Sequence, residues 1–311
     1  MSTAERIGAF MGLIRWPNLL MMSSALLLIR FGFFVPLDIP VVLDHFHFIL
    51  LVFSTACIGA AGYVVNDLYD IDNDRVNKPD RMRIGTIFSE QFGWNAFIAF
   101  FLIGGGLGWY LGQHIGKPLY GAINLITGFW LYLYAADFKG RPLLGNIMIS
   151  FLSAGVLTYP LFFDVLPRLP ISAYDPGRPA LLILSVYFCF AFVISLVREI
   201  VKDMEDVQGD RKTGLHTIPL VWGMGTARVI SIFLTTVLLL AFITAAILGW
   251  TDDMRTSIYV LSALATPCLL ALLALFKAKE RQQFHRVSFL LKMTMAAAIF
   301  SFPVFTFFAL A

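Results

Sequence analysis

Apolar runs alternate with short polar segments along most of the chain. Nine runs, near 18–36, 46–66, 94–113, 118–136, 143–163, 180–198, 227–249, 257–276 and 287–310, are candidates to cross a bilayer as helices, since a span takes about 20 mostly apolar residues. The pattern predicts an all-α integral membrane protein with nine transmembrane helices, residues 1–311 forming a single membrane domain. The first run is of full span length rather than a short signal core, so no cleavable signal is expected. The two longest polar stretches, 67–93 and 199–225, follow the second and sixth runs.

Composition excludes the soluble alternative. The chain is 59% hydrophobic, with thirty Phe and a mean hydropathy of +0.79, against about 45–50% apolar for soluble domains. Sixteen Lys and Arg residues fall on the side of the N-terminus and five on the other. Positive charge marks the cytoplasmic side, which predicts a cytoplasmic N-terminus, both long loops facing the cytoplasm, and residence in the inner or plasma membrane. Membrane lipids are expected partners and nucleic acid is not. Cys57, Cys189 and Cys268 lie in apolar runs without CxxC spacing, and the five histidines form no HxxxH pair, so neither a disulfide nor a zinc site is expected.

The polar loops carry the chemistry. Asp67, Asp70 and Asp74 are spaced D-x-x-D-x-x-x-D, and Asp203, Asp206 and Asp210 repeat that spacing 136 residues later. Repetition after the second and sixth runs suggests two similar halves that face each other, with a site between them. On a helix, positions i, i+3 and i+7 fall within about 60° of one another, so each loop is expected to begin as a helical extension with three carboxylates on one face. Asp72 and Asp80 fall outside the spacing and are expected to be solvated or salt-bridged. A single acidic run would be an ordinary solvated face; the matched pair is not.

Hard carboxylate oxygens suit Mg²⁺, which binds through one or two carboxylates plus substrate phosphates. Six carboxylates from two facing sets could hold two Mg²⁺ ions bridged by a diphosphate. A calcium loop starting at Asp70 is excluded, because its sixth and twelfth positions are Arg75 and Arg81 rather than Gly and Glu. Arg75, Lys78, Arg81, Lys202, Arg211 and Lys212 are interleaved with the acids, and some of them must neutralise phosphate oxygens as a leaving group departs. Lys78 and Lys212 read better as anchors or salt-bridge partners. A third cytoplasmic segment, 131–146, adds Tyr134, Lys139 and Asn146.

Together, N-D-x-x-D-x-x-x-D after the second run, D-x-x-D-x-x-x-D after the sixth and Y-x-x-x-x-K after the fourth resemble the UbiA superfamily of intramembrane prenyltransferases, over essentially the whole chain. The resemblance implies nine helices around a central cavity, roofed by two pseudo-symmetric Asp-rich cytoplasmic loops. It also implies Mg²⁺-assisted loss of diphosphate from a polyprenyl diphosphate, then capture of the allylic cation by an acceptor. Carried over by position, Asn66, Asp67, Asp70, Asp74, Asp203, Asp206 and Asp210 would hold metal, the six aspartates being catalytic. Arg75, Arg81, Tyr134, Lys139, Lys202 and Arg211 would meet the diphosphate. Asn18 matches a position facing the cavity. Arg15 is either an interfacial anchor or a contact to an anionic acceptor.

The second loop, "REIVKDMEDVQGDRKTGLHTIPL", resembles that of digeranylgeranylglyceryl phosphate synthases, which implies a geranylgeranyl donor and a lipid acceptor, geranylgeranylglyceryl phosphate. Arg198, Glu199, Lys202 and Glu205 fit that pattern, whereas Met82 departs from the N-x-P-x-R-P usual in the first loop. An aromatic acceptor of quinone biosynthesis, 4-hydroxybenzoate or a naphthoate, and a terpene cyclase remain open. A divalent-cation transporter is the non-enzymatic reading, weakened by the scarcity of acidic residues within the spans. Tyr63, Tyr69 and Phe190 could flank a cation, though ordinary packing accounts for each.

Overall fold

A computed structural model describes residues 2–168, 177–248 and 254–310. Among these residues nine helices are long and apolar enough to cross a membrane. Helix α1 (Thr3–Leu13) precedes the first of them, α2 (Trp16–Phe34). Then come α3 (His45–Tyr69), the short α4 (Ile71–Asn77), α5 (Glu90–His114) and α6 (Pro118–Ala136). The second half comprises α7 (Leu144–Arg168), α8 (Gly177–Thr213), the one-turn α9 (Ile218–Val221), α10 (Met224–Ile247), α11 (Met254–Lys277) and α12 (Arg281–Leu310).

Neighbour packing closes a ring: α2, α3, α6, α7, α8, α10, α11 and α12 each touch the next, and α12 returns to α2. Helix α5 lies outside the ring against α3 and α6, and α4 crosses to pack on α8. Large apolar side chains such as Phe53, Leu102, Phe233, Ile247 and Phe289 are exposed, as expected of helices solvated by lipid rather than water.

Two element boundaries shape the site, one as expected and one not. The sixth apolar run ends near 198, and α8 continues unbroken to Thr213 as the helical extension that the spacing predicts. Its polar part, Arg198 to Thr213, lacks Pro and is rich in straight-chain residues that lose little freedom in a helix. Arg211 and Lys212 complement the final carbonyls, and Gly214 ends the helix at φ 74°. The first motif, by contrast, is not one continuous helix. Asp70, at φ −93° and ψ 3°, closes α3 and opens α4, so the chain bends there and carries α4 onto α8.

Polar and small residues hold the helices where hydrophobicity cannot distinguish neighbour from lipid. At the α5–α6 crossing a Cβ on Gly112 would lie 2.5 Å from the backbone nitrogen of Gly121, so that approach demands glycine. Beside it, Ser54 Oγ donates to the Gly104 carbonyl at 2.6 Å, and buried Asn124 donates to Ser54. At the end of α2 opposite Arg15, Arg30 Nη1 meets both carboxylate oxygens of Asp164 on α7 at 2.8 Å. The two side chains are 2% and 0% exposed. The Leu43 amide also donates to Asp164, at 2.9 Å. Asp164→Ala would leave a guanidinium buried without its counter-charge, an event that costs about 3–5 kcal/mol. A large drop in Tm of the detergent-solubilised protein is expected, and an unchanged Tm would show that the pair holds nothing.

Candidate active site

The ring encloses a cavity of about 1040 Å³, at the top of the range of about 300–1,000 Å³ usual for small-molecule sites. One end is charged and the remainder is walled by residues such as Met22, Ile58, Leu131, Val156, Phe190 and Phe242. The charged end is built by the breaks just described. Helix α8 lifts Asp203, Asp206 and Asp210 above the apolar run, and the bend at Asp70 folds α4 across to meet them. All six motif aspartates line the cavity.

The two arms are tied by asparagines. Asn73 Nδ2 donates to Asp210 Oδ1 at 2.9 Å. Asn77 Nδ2 donates to Asn73 Oδ1 at 3.0 Å and to the Asp206 carbonyl at 2.9 Å, while Asn77 Oδ1 accepts from the Gly209 amide at 3.0 Å. Gly209 permits this, because a Cβ there would come within 2.2 Å of both asparagine side chains. Neither Asn73 nor Asn77 is anticipated from the D-x-x-D-x-x-x-D pattern. A faint signal exists: each stands three residues beyond a motif aspartate, on the α4 face that packs against α8.

Cations bridge some of the carboxylates. Arg15 Nη2 is 2.8 Å from Asp67 Oδ1, and its guanidinium lies over the Tyr63 ring, 5.0 Å from the centroid. Arg15 adopts a left-handed backbone, φ 50° and ψ 53°, uncommon for a non-glycine residue; this joint between α1 and α2 sets the direction of its side chain. Burial alone would lower the Arg15 pKa, but Asp67 raises it above the ordinary value. Lys139 donates to Asp70 and, at 3.4 Å, to Asn66 Oδ1. Burial would lower Lys139 as well, and Asp70 outweighs it, leaving the amine above its usual pKa. Lys78 Nζ meets Asp206 Oδ2 at 2.5 Å, so it is a salt-bridge partner that also lines the cavity. Asn66 Nδ2 donates to Asp70 Oδ2 at 2.6 Å.

Other carboxylates have no cationic partner among the described residues. Asp203 accepts from Asn146 Nδ2 at 2.8 Å, and Asp210 from Asn73 and Thr217. Asp74 is the most telling: burial pushes its carboxyl up to about 6, the Asp70 charge adds to the rise, and Lys78 opposes it. A group held so far from its ordinary ionisation, beside like charges, marks a place arranged for a cation.

The remaining expected residues divide. Asn18, Tyr134 and Lys202 line the cavity. Arg75 does not; it pairs with Asp72 at 2.9 Å on the surface, the two side chains 62% and 81% exposed. Arg211 and Lys212 are exposed at the end of α8 and face away from the cavity. The side chain of Arg81 lies outside the described residues. Tyr63 and Phe190 line the cavity, whereas Tyr69 pairs with Tyr132 outside it. Arg83 and Lys292 also line it without having stood out in the sequence.

The model of the UbiA prenyltransferase family matches residues 19–306. The chain belongs to that family. Among its relatives, digeranylgeranylglyceryl phosphate synthase of Methanothermobacter thermautotrophicus is 31% identical over 271 residues, covering 83% of this chain and 85% of that one. The Methanopyrus kandleri protein of the same name is 34% identical over 179 residues, 57% of this chain and 59% of that one. Solved UbiA-family folds superpose over nearly the full length. A structure concerning digeranylgeranylglyceryl phosphate synthase in membranes gives a TM-score of 0.64 at 22% identity, covering 97% of this chain and 99% of that one. A UbiA homologue from Archaeoglobus fulgidus bound to GPP and Mg²⁺ gives 0.61 at 16% identity, covering 95% and 99%. The fold is thus that of the UbiA family, with nine candidate spans among the described residues, as the hydropathy pattern predicts.

Proposed function

We propose that the chain transfers a polyprenyl group, geranylgeranyl, from its diphosphate to the hydroxyl of geranylgeranylglyceryl phosphate, in a Mg²⁺-dependent reaction. One observation carries this reading: two identically spaced carboxylate sets converge on the charged end of a cavity whose other walls are apolar. Relatives named digeranylgeranylglyceryl phosphate synthase support the acceptor, and the A. fulgidus homologue supports the prenyl diphosphate and the ion. The chain acts as one domain, with its N-terminus and its charged end facing the cytoplasm, as the distribution of Lys and Arg favours.

The donor set fits Mg²⁺. Six hard carboxylates line one end of the cavity, and Asp74, Asp203 and Asp210 lack cationic partners among the described residues, so metal would restore the balance there. Asp67, Asp70 and Asp74 with Asn66 would hold one ion and Asp203, Asp206 and Asp210 a second. Bound there, Mg²⁺ supplies Lewis-acid stabilisation of charge on the departing diphosphate.

The protein's own groups do the rest. Lys139 and Tyr134, at the third loop, stand where diphosphate oxygens would lie; Lys139 holds its proton firmly and serves as a fixed positive charge rather than an acid. In the reaction the bond between the allylic carbon and the diphosphate oxygen breaks, and the electron pair leaves with diphosphate. The acceptor oxygen then bonds to that carbon and releases its proton. Apolar walls keep water, the competing nucleophile, from the cation, and the prenyl tail lies among side chains as apolar as lipid.

The test incubates the detergent-solubilised protein with geranylgeranyl diphosphate and either geranylgeranylglyceryl phosphate or 4-hydroxybenzoate, and reads products by mass. The ether lipid is expected, only with the first acceptor, and EDTA is expected to abolish it until Mg²⁺ is restored. Prenylated hydroxybenzoate would move the assignment to an aromatic acceptor; a cyclised hydrocarbon without acceptor would make the protein a cyclase.

A further inference from the structure

The charges around the cavity are not distributed evenly. Helix α8 carries two stripes. Asp203, Asp206 and Asp210 form one; Arg198, Lys202 and Glu205, at i, i+4 and i+7, form another. The second stripe is turned toward α12, since Glu205 Oε1 meets His285 Nδ1 across that interface at 3.0 Å. On α12 itself, Ser288 and Lys292 continue the stripe of His285 along the cavity wall.

On this side cations exceed anions. Glu199 is the single carboxylate shared by Lys202, at 2.7 Å, and Arg198, at 3.3 Å. Lys292 has no carboxylate partner among the described residues; its Nζ donates to Asn18 Oδ1 at 2.6 Å. Arg198 is near enough to repel it, and Arg198 Nε is buried with no hydrogen-bond partner. Arg198, Lys202 and Lys292 outnumber Glu199 and Glu205 by one, so a net positive charge remains beside apolar walls. A cation of this kind inside a membrane span is costly and marks a functional site. None of the three is ion-paired with a motif aspartate among the described residues; Arg15, Lys78 and Lys139 make those pairs.

Three cationic side chains facing one place suit a phosphate monoester, which carries about −1.5 to −2 at pH 7 and has three acceptor oxygens, against two for a carboxylate. Deeper along the same two helices the lining turns apolar, at Ile194 and Ala191 on α8 and at Met295 and Ile299 on α12. A cationic pocket continued by an apolar path fits a lipid with a phosphate head, and fits free phosphate poorly.

We propose that Arg198, Lys202 and Lys292 form a second anion subsite, separate from the aspartate cluster, that holds the phosphate of the acceptor lipid while its tail runs inward between α8 and α12. This rests on the acceptor reading above. The arrangement sets the donor diphosphate on the α4 and third-loop side and the acceptor on the α12 side, with the acceptor hydroxyl between them.

Lys292→Met and Arg198→Gln in the full-length protein test it. Loss of one hydrogen bond to a charged group corresponds to about a ten- to hundredfold loss of binding, so KM for geranylgeranylglyceryl phosphate should rise by that factor. KM for geranylgeranyl diphosphate should stay within about twofold, and Lys292→Arg should restore most of the acceptor affinity. The dephosphorylated acceptor, geranylgeranylglycerol, should be used as poorly by the variant as by the wild type. A parallel rise in donor KM would overturn the proposal, as would equal weakening of both acceptors. If the wild type does not prenylate this acceptor, the acceptor reading falls, and the subsite is judged by binding alone. Phosphatidic acid, but not diacylglycerol or inorganic phosphate, should then raise the Tm of the wild type and not of Lys292→Met. Equal shifts in the two proteins, or none in the wild type, would overturn it.

Discussion

Asp203→Asn is expected to lower turnover by about 10³-fold or more, the scale on which fixed charge stabilisation acts in enzymes, while leaving the protein at least as stable as the wild type. The two effects separate because of where Asp203 sits. It is half-buried on α8, without a cationic partner among the described residues, and accepts a hydrogen bond from Asn146. Burying an unpaired charge is costly, so a neutral amide of the same shape relieves the protein in the absence of metal. On the proposed reading, the same change removes a hard oxygen ligand from the second set. Measuring turnover with saturating Mg²⁺ and geranylgeranyl diphosphate, alongside Tm, tests both halves. Wild-type turnover in the variant would sink the metal assignment; lost turnover with a collapsed Tm would show only that the fold had failed.

Gly209→Ala is expected to lose at least about a hundredfold in activity, although Gly209 offers no side chain to substrate or metal. An added Cβ would stand 2.2 Å from Asn73 Oδ1 and from Asn77 Nδ2, closer than real contacts allow. Both asparagines are buried, at 7% and 5% exposure, and cannot swing away singly. Helix α4 would therefore have to lift from α8, breaking the bonds from Asn77 to the Asp206 carbonyl and from Gly209 to Asn77. Overpacking of this kind costs about 1–3 kcal/mol, modest for stability. Displacing Asp74 from Asp210 by even an ångström is severe for a site that works by positioning. The Mg²⁺ concentration for half-maximal activity should rise with the loss, and trimming the obstruction in Gly209→Ala/Asn77→Ala should recover part of it. An active single variant with unchanged Mg²⁺ dependence would mean that the contact between α4 and α8 does not set the site.

The sequence reading reached some of these features and could not reach others. Hydropathy located all nine spans, because length in an apolar solvent is a one-dimensional property. The six aspartates were legible because their spacing recurs at a constant offset, so each set vouches for the other. Lys78, expected as a salt-bridge partner, pairs with Asp206 and lines the cavity, whereas Arg75, expected at the diphosphate, meets Asp72 on the surface; the bend at Asp70 decides which of the two turns inward. Arg211 fell to the same ambiguity at the far end of α8, where one residue of helical rotation separates it from Asp210. Asn73 and Asn77 were invisible because asparagine near a helix end is ordinary, and their role exists only across two segments. Lys292 was hidden for the opposite reason: a lone lysine in a long apolar run barely lowers its hydropathy.

The bend at Asp70 has a bearing on how the paired motifs should be compared. The same spacing is realised on an interrupted helix in one arm and on a continuous one in the other. The two arms are therefore equal in sequence and unequal in mechanics. Asp203, Asp206 and Asp210 share one rigid rod, so a disturbance at any of them is transmitted along the axis. Asp67 lies before the interruption and Asp74 beyond it, so the two stand on segments of different direction joined at Asp70. Matched substitutions at equivalent positions of the two arms are accordingly not expected to have equal effects.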